Sequence, residues 1–201
     1  MKRATIIIFA VTLSVVHGQD FKKYYSLVWD FNAPISNREL ISKSTLRSGR
    51  FIYRETINNR FSVGGDIGFA TYHDHLPPDV YTSGNNSLYA EVFPFAYNYT
   101  FTFSGEYYYL DQDRLKAFAG IGIGASYNKF TAYYNVFSNE DKTWGALFRP
   151  NTGVLVRLGK KWRWAGRIAF HLDYATNKST DFDYKNFINA GLDAGFALML
   201  Q

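Results

Sequence analysis

One stretch of the chain, residues 162–174, alternates between apolar and polar side chains. The apolar positions carry aromatic residues at both ends and are Trp162, Trp164, Ile168, Phe170, Leu172 and Tyr174. The positions between them include Arg163, Arg167, His171 and Asp173. Because alternate residues of a β-strand face opposite sides of the sheet, this strand has one apolar face and one charged face. A strand that crosses a membrane around a polar lumen has this pattern.

The first 18 residues have the features of a secretory signal peptide. Lys2 and Arg3 form a short basic region, residues 4–16 are mostly apolar, and Gly18 supplies a small residue for cleavage. We therefore predict a signal peptide over residues 1–18 and one membrane domain over residues 19–201. No later run of about 20 apolar residues exists to form a transmembrane helix. The chain has no cysteine, which excludes disulfides, thiolate metal sites and cysteine nucleophiles.

Eight segments rich in β-branched and aromatic residues are predicted to be strands. They lie at about residues 24–32, 49–57, 61–72, 88–103 (with a possible extension to 109), 115–128, 144–158, 162–175 and 187–200. Short connections that suit tight turns are Asn58-Asn59, Asp111-Gln112-Asp113 and Gly159-Lys160. Long connections lie at about residues 33–48, 73–87, 129–143 and 176–186. Because short and long connections alternate, the sequence predicts an all-β, eight-stranded antiparallel up-and-down transmembrane β-barrel, with both termini at its short-turn end.

Residue parity indicates which face of the strands meets the membrane. Aromatic residues make up 19% of the chain, and aromatic girdles at the two membrane surfaces account for this excess. The glycines concentrate on the polar parity, as at Gly120, Gly122 and Gly124. Small residues make room for large neighbours inside a narrow barrel, so we expect the polar parity to face the lumen. Glu55 and Glu91 fall on the apolar parity and are expected near a strand end or at the headgroup level.

The polar parity then places eleven ionisable side chains in the lumen. They are Asp30, Arg50, Arg54, Asp66, Arg149, Arg157, Arg163, Arg167, His171, Asp173 and Asp193. Enclosed charges need partners, and the planar guanidinium group can hold several acceptors, so linked Arg–Asp ion pairs are expected. We interpret this network as the core of the barrel, with a gated passage as the alternative. Eight strands leave room only for side chains, so no open pore is expected.

Three stretches of sequence support a family resemblance. They are Ile57-Asn58-Asn59 leading into residues 61–68 (FSVGGDIG), Phe93-Pro94, and residues 117–124 (AFAGIGIG). On these stretches the chain resembles the small eight-stranded outer-membrane β-barrel proteins of the Bacteroidota, similar in architecture to OmpX and the OmpA membrane domain. The resemblance implies a location in the outer membrane of a Gram-negative bacterium. It does not imply one particular activity.

Two groups of residues raise the question of catalysis or metal binding. His171, Asp173 and the nearby Ser179 resemble the active-site spacing of lipid A deacylases, but Asp173 is not a nucleophile. His73 and His75 lie in a predicted loop without enough further ligands for a metal site. We therefore predict no catalytic residues, no metal and no cofactor. A lipid A-modifying enzyme is the weaker alternative.

The long connections supply residues suited to contact a partner. The candidates are Tyr81, Tyr133, Tyr134, Phe137, Trp144, Phe182 and Tyr184, and the alternative place for Trp144 and Tyr184 is the aromatic girdle. We predict a non-catalytic envelope protein that contacts outer-membrane lipid and either stabilises the membrane or binds another envelope protein through its long external loops. A narrow pore or conduit for small or apolar solutes is the alternative. The net charge of +5 is scattered and does not indicate nucleic-acid binding.

Overall fold

The computed structural model describes residues 23–58, 60–83, 86–112, 114–134, 137–159 and 163–200, apart from the side chains of residues 81–83 and 86–88. The described residues form nine strands: β1 Lys23–Pro34, β2 Ser48–Asn58, β3 Phe61–His73, β4 Leu76–Ser83, β5 Asn86–Asp111, β6 Leu115–Tyr134, β7 Phe137–Leu158, β8 Trp164–Ala175 and β9 Phe187–Leu200. The predicted signal peptide (residues 1–18) and Trp162 lie outside these residues. Within them, no helix is long and apolar enough to cross a membrane.

Eight of these strands close into an antiparallel barrel. Neighbouring barrel strands pair in chain order, β3 pairs with β5, and the barrel closes between β1 and β9. The closing register runs from Lys23 opposite Leu200 to Pro34 opposite Asn189. This arrangement confirms the predicted eight-stranded antiparallel barrel.

The remaining strand, β4, pairs with the first part of β5, and β6 and β7 pair along their whole lengths. The prediction of long loops at residues 73–87 and 129–143 is therefore wrong, because most of both segments is strand. The alternation of apolar side chains ends where the strands leave the membrane. The strands themselves continue, because the backbone hydrogen bonds that pair them do not depend on side-chain polarity. The connections at residues 35–47 and 176–186 contain only isolated bridges.

The outer surface of the barrel is apolar. Leu27 and Phe196, on adjacent strands β1 and β9, are 72% and 63% exposed, whereas their strand neighbours Ser26, Val28 and Ala197 are buried. Aromatic pairs flank this apolar belt at each end. At the short-turn end, the ring centres of Tyr25 and Tyr53 lie 5.1 Å apart, and those of Phe61 and Tyr107 lie 4.9 Å apart. At the other end, the ring centres of Tyr127 and Trp144 lie 5.0 Å apart. An exposed apolar belt between aromatic girdles is the exterior of a membrane-spanning barrel.

Apolar side chains close both ends of the lumen. At the short-turn end, the short-turn cap comprises Tyr24, Tyr108, Phe118, Leu155, Ala165, Ala169, Ala197 and Met199. At the other end, the long-loop cap comprises Ile41, Ala70, Tyr72, Val92, Ala96, Phe130, Ala132, Leu147, Ala175, Phe182, Tyr184 and Phe187. The polar part of the lumen therefore lies between two apolar layers.

The short turns are built by local backbone chemistry. The side-chain oxygen of Asn58 accepts hydrogen bonds from the backbone N–H groups of Arg60 and Phe61, at 2.8 and 2.9 Å. Gly159 adopts a φ of 91°, a left-handed conformation that a side chain would strain. These turns keep the strand ends close to the membrane surface.

We predict that a charge in the apolar belt destabilises the barrel according to its depth. Ile168 lies near the middle of β8 and faces outward, so Ile168→Lys should lower the free energy of unfolding by about 2–4 kcal/mol. Leu158→Lys, at the end of β7, is the matched control and should cost about 0–1 kcal/mol. Denaturant titration in lipid vesicles measures both values. Equal costs at the two positions would contradict a membrane-facing exterior.

Candidate functional site in the lumen and at the long-loop end

Glu106 is the centre of the polar network at the short-turn side of the lumen. Its Oε1 accepts a hydrogen bond from the Arg167 guanidinium group at 2.9 Å and forms an ion pair with Nη2 of Arg54 at 3.2 Å. Its Oε2 accepts a hydrogen bond from the Tyr24 hydroxyl at 2.6 Å, and the Tyr108 hydroxyl lies 3.4 Å from the same oxygen. All five side chains are buried. Because one carboxylate holds arginines from two strands that are not neighbours, Glu106 cross-links β2, β5 and β8.

Asp66 and Phe118 complete the surroundings of these two arginines. Asp66 pairs with Arg54 through both oxygens, at 2.5 and 3.2 Å, and accepts from Thr102 and Ser104 at 3.0 and 2.9 Å. The guanidinium carbon of Arg167 lies 4.3 Å from the centre of the Phe118 ring. The cation therefore packs against the short-turn cap through its flat face while its edge holds Glu106.

The middle of the lumen is organised by Arg50. Its Nη2 donates to Asp193 and lies 3.0 Å from Nδ1 of His171. Its Nε lies 3.5 Å from Asp30, and Nε2 of His171 lies 3.6 Å from the same carboxylate oxygen. The Nε of Arg167 lies 3.7 Å from Asp193 and joins this group to the Glu106 group.

The third layer lies beneath the long-loop cap. Arg149 donates to both oxygens of Asp173, at 2.5 and 2.6 Å, and to the Thr100 hydroxyl at 3.1 Å. Side chains of this layer and of the Arg50 group surround a cavity of about 10 Å³, no larger than one water molecule. The three layers together hold four arginines, five carboxylates and His171, so attraction between opposite charges offsets their removal from water.

Glycines make room for these large side chains. A Cβ atom at Gly191 would collide with the imidazole ring of His171. At Gly68 it would lie 2.8 Å from Cγ of Arg50, and at Gly120 3.0 Å from Cγ of Glu106. The glycines on the polar parity therefore lie beside the charged groups of the lumen.

The structure places most of the predicted lumen residues together. The buried ones are Asp30, Arg50, Arg54, Asp66, Arg149, Arg167, His171, Asp173 and Asp193. Arg157 is half-buried on the inward parity at the short-turn end of β7. Arg163 is exposed, so its assignment to the lumen is wrong. Strand β8 begins only at Trp164, so Arg163 lies at the open short-turn end of the barrel and not in its enclosed lumen.

Sequence analysis missed Glu106, the most connected acid of the lumen. The predicted fourth strand ended at residue 103 with only a possible extension to 109, whereas β5 continues to Asp111. Extending the alternation from Thr102 and Ser104 places Glu106 on the inward parity. Tyr24 and Tyr108, whose hydroxyl groups contact Glu106, also lie on the inward parity of their strands.

The two groups of histidines lie in different surroundings. His171 contacts Arg50 and Asp173 contacts Arg149, so both face the lumen and not the lipid. His73 stacks on Phe95 with 6.2 Å between ring centres. Among the described residues, no group of three or more His, Asp or Glu side chains is arranged to hold a metal ion.

The two glutamates on the apolar parity lie towards the ends of the barrel. Glu55 is near the end of β2, where it lies 3.5 Å from the Lys23 ammonium group and accepts from the Tyr53 hydroxyl at 3.2 Å. Glu91 lies beyond the barrel on the part of β5 that pairs with β4, 2.5 Å from Nε2 of His75. Both carboxylates therefore have polar partners away from the middle of the apolar belt.

Asp74 anchors the connection between β1 and β2. It accepts hydrogen bonds from the backbone N–H and the hydroxyl of Ser42, both at 2.8 Å, and its carboxylate lies 2.9 Å from the Lys43 ammonium group. Burial opposes its ionisation, but hydrogen bonds from Ser42, Lys43 and His75 outweigh burial and hold the pKa of Asp74 well below its ordinary value. The anchor is therefore ionised at neutral pH.

The candidate contact residues differ in their exposure. Tyr133, Phe137 and Trp144 are exposed, and Trp144 packs against Tyr127 in the aromatic girdle. Tyr134 is half-buried against the long-loop cap and stacks on Phe137. The side chain of Tyr81 lies outside the described parts of the chain.

Phe182 and Tyr184 are not contact residues, and this prediction is wrong. They are only 8% and 4% exposed, and both pack on Phe130 inside the long-loop cap, with ring centres 4.4 and 6.3 Å away. The Tyr184 hydroxyl also lies 3.2 Å from that of Thr143. The 176–186 connection folds inward because it buries these rings over the mouth of the barrel.

Comparisons with known proteins show similarity of fold. No protein-family model and no curated protein sequence matches the chain. One similar structure is Ail, the attachment invasion locus protein of Yersinia pestis, crystallised in complex with the heparin analogue sucrose octasulfate. It matches with a TM-score of 0.53 and 11% sequence identity, and the match covers 90% of this chain and 100% of that chain. Neisserial surface protein A has a TM-score of 0.51 and 14% identity, covering 89% of this chain and 96% of that chain. The architecture is that of the small outer-membrane β-barrels.

We predict that Glu106→Gln strongly destabilises the barrel. The substitution leaves Arg54 and Arg167 without a shared counter-charge in a buried site, and such a loss costs about 3–5 kcal/mol. Denaturant titration in lipid vesicles measures the change. The matched control is Glu55→Gln, which removes a partly exposed ion pair with Lys23 and should have a small effect. A Glu106→Gln barrel as stable as the wild type would show that the network is not the core.

We predict that Asp74→Asn releases the connection at residues 35–47. Hydrogen-exchange protection of residues 41–45 should fall at least about tenfold at neutral pH, because one hydrogen bond to a charged group contributes about 1.5 kcal/mol or more. Since the pKa of Asp74 is lowered by folding, its stabilisation is complete above the ordinary value of about 4 and is lost only in stronger acid.

The wild-type connection should therefore stay protected from pH 7 to about pH 4. The control is Asp79→Asn in β4, where the carboxylate accepts from the N–H of Val80, and it should leave residues 41–45 unchanged. Loss of wild-type protection already near pH 6 would contradict the role of Asp74.

Proposed function

We propose that this chain is a non-catalytic protein of the outer membrane of a Gram-negative bacterium that binds another envelope protein through a sheet projecting above the barrel. The projecting sheet consists of β4, residues 86–94 of β5, residues 129–134 of β6 and residues 137–146 of β7. The observation that carries the proposal is the unpaired edge of β4. A bacterial origin within the Bacteroidota remains a prediction of the sequence resemblance.

The projecting sheet presents strand edges to its surroundings. Among the described residues, β4 pairs only with β5, and residues 137–142 of β7 pair only with β6. The next part of β7 is covered, because the Asn177 side chain donates to the backbone oxygen of Thr143 at 2.9 Å. Unpaired strand edges carry backbone donors and acceptors that a strand of another protein can satisfy.

The β4 edge is better suited to docking towards its end than at its start. Pro77 and Pro78 have no backbone N–H, and Asp79 adds a charge, so the start of β4 is protected against pairing. Residues 80–83 have no such protection, and Val80 is 58% exposed. A partner strand would therefore pair along residues 80–83.

The charge at this end favours a protein partner over a polysulfated one. Ail is a similar barrel with a heparin analogue bound. At the long-loop end of this chain, the described basic residues are Arg38, Lys43, Arg47, Lys129, Lys142, Lys178 and Lys185. The acidic residues there are Glu39, Asp74, Asp79, Glu91, Glu140, Asp141, Asp181 and Asp183. Eight acids against seven bases supply no excess positive charge for a sulfated ligand.

The lumen argues against the pore that the sequence left as an alternative. Ion-paired layers fill it, an apolar cap closes each end, and the cavity between the layers holds about 10 Å³. A solute would have to break several buried ion pairs to pass. The interior is therefore assigned to stability, and the projecting sheet to recognition.

We predict that Val80→Lys weakens retention of a stoichiometric partner at least tenfold, corresponding to about 1.4 kcal/mol. A lysine on a strand edge opposes the pairing of another strand. The wild-type protein and its variants are purified in mild detergent, and co-purifying proteins are quantified by mass spectrometry. Phe137→Lys, on the opposite edge of the projecting sheet, is the matched control and should retain the partner.

Equal retention by both variants would exclude the β4 edge as the docking site. Stable, solute-sized conductance of the wild-type protein in planar bilayers would overturn the proposal in favour of a pore.

A further inference from the structure

Each of the three strands that follow a short turn is preceded by an arginine. Arg60 precedes β3, Arg114 precedes β6 and Arg163 precedes β8. All three side chains are exposed, and none of them forms an ion pair with another residue that the structure describes. The same residue type therefore occupies the same position at three separate turns.

The backbone holds these arginines in place. The carbonyl oxygens of Arg60, Arg114 and Arg163 accept hydrogen bonds from the N–H groups of Tyr108 at 2.8 Å, Arg157 at 2.9 Å and Met199 at 2.9 Å, respectively. Each donor belongs to the neighbouring strand, so each arginine extends the barrel ladder by one residue. The three guanidinium groups therefore extend from a rigid rim.

The rim lies at the level of the membrane surface. Phe61 and Trp164, the residues directly after two of the arginines, face outward and are exposed. Phe61 packs against Tyr107 as part of the aromatic girdle. One residue of a strand spans about 3.3 Å, so the arginines begin just beyond the girdle, and their side chains are long enough to extend to the level of the headgroups.

Positive charge is concentrated at this end of the barrel. Its described basic residues are Lys23, Arg60, Arg114, Lys116, Arg157 and Arg163, against the acidic residues Glu55 and Asp111. Both acids already pair with lysines, Glu55 with Lys23 at 3.5 Å and Asp111 with Lys116 at 3.0 Å. The three rim arginines therefore remain available to anions from outside the chain.

We propose that Arg60, Arg114 and Arg163 bind the phosphate groups of anionic phospholipids in the leaflet at the short-turn end. The planar guanidinium group donates two parallel hydrogen bonds to a phosphate, which a lysine does not. The adjacent aromatic girdle contacts the glycerol and upper acyl region of the same lipids. A free anion or an acidic protein would gain nothing from the girdle, so the lipid is the occupant that fits both features.

The experiment compares lipid retention by the intact protein and two charge-matched variants. Each is purified with equal amounts of phosphatidylglycerol and phosphatidylethanolamine, and native mass spectrometry counts the lipids retained. The rim variant is R60Q/R114Q/R163Q. The control variant, R38Q/R47Q/K178Q, removes the same charge from exposed positions at the long-loop end. Unchanged strand content by circular dichroism shows that each variant is folded.

The wild type and the control variant should retain phosphatidylglycerol in preference to phosphatidylethanolamine, and salt should weaken that preference. In the rim variant, the preference for phosphatidylglycerol should fall about fivefold for each arginine removed. Equal preference in the rim variant and the wild type, or an equal loss in both variants, would overturn the proposal.

Two further outcomes would assign the rim to another ligand. Displacement of the lipid by millimolar inorganic phosphate would indicate a site for the free anion. Loss of an acidic protein from the rim variant, with its phosphatidylglycerol retained, would indicate a protein-binding site. Either result would contradict the lipid assignment.

Discussion

The ion pairs enclosed in the lumen are the constraint on which the rest of the structure depends. Closing eight strands removes Glu106 from water, and Arg54 and Arg167 supply the positive charge that makes this burial tolerable. Because Glu106 and these arginines come from three separate strands, β5, β2 and β8, their pairing also constrains the cross-section of the barrel. Glycines make room for the other charged side chains of the lumen, since a Cβ atom at Gly68 would lie 2.8 Å from Cγ of Arg50.

The two apolar caps protect the buried ion pairs at the two ends of the barrel. An ion pair is strongest where water is excluded, and the caps exclude water from the charged layers. The Arg167 guanidinium shows the link directly, because it holds Glu106 with its edge and packs on Phe118 with its face. Phe182 and Tyr184 contribute to the opposite cap, so the connection that carries them is part of the core.

Strand periodicity in the sequence predicted the barrel and most of its lumen, because lipid on one side and enclosed charge on the other impose a strict alternation. The prediction failed where lipid and enclosed charge do not lie on the two sides of the strand. Arg163 lies at the open end of the barrel and β4 lies outside the membrane, so neither of them alternates between lipid and an enclosed lumen. The burial of Tyr184 depends on how the connection folds over the barrel mouth, which local sequence does not specify.

The two ends of the barrel differ in the charge they expose, although the lumen between them is nearly balanced. Among the residues that the structure describes, acids and bases are matched around the projecting sheet, while the exposed arginines Arg60, Arg114 and Arg163 lie at the short turns. An anionic leaflet attracts only the second kind of surface, so the rim resists movement of the barrel along the membrane normal. The strands are continuous from the rim to the projecting sheet, and β5 runs from Asn86 to Asp111 without interruption. In the proposed arrangement, fixing the depth of the rim therefore also fixes the height of the β4 edge above the membrane.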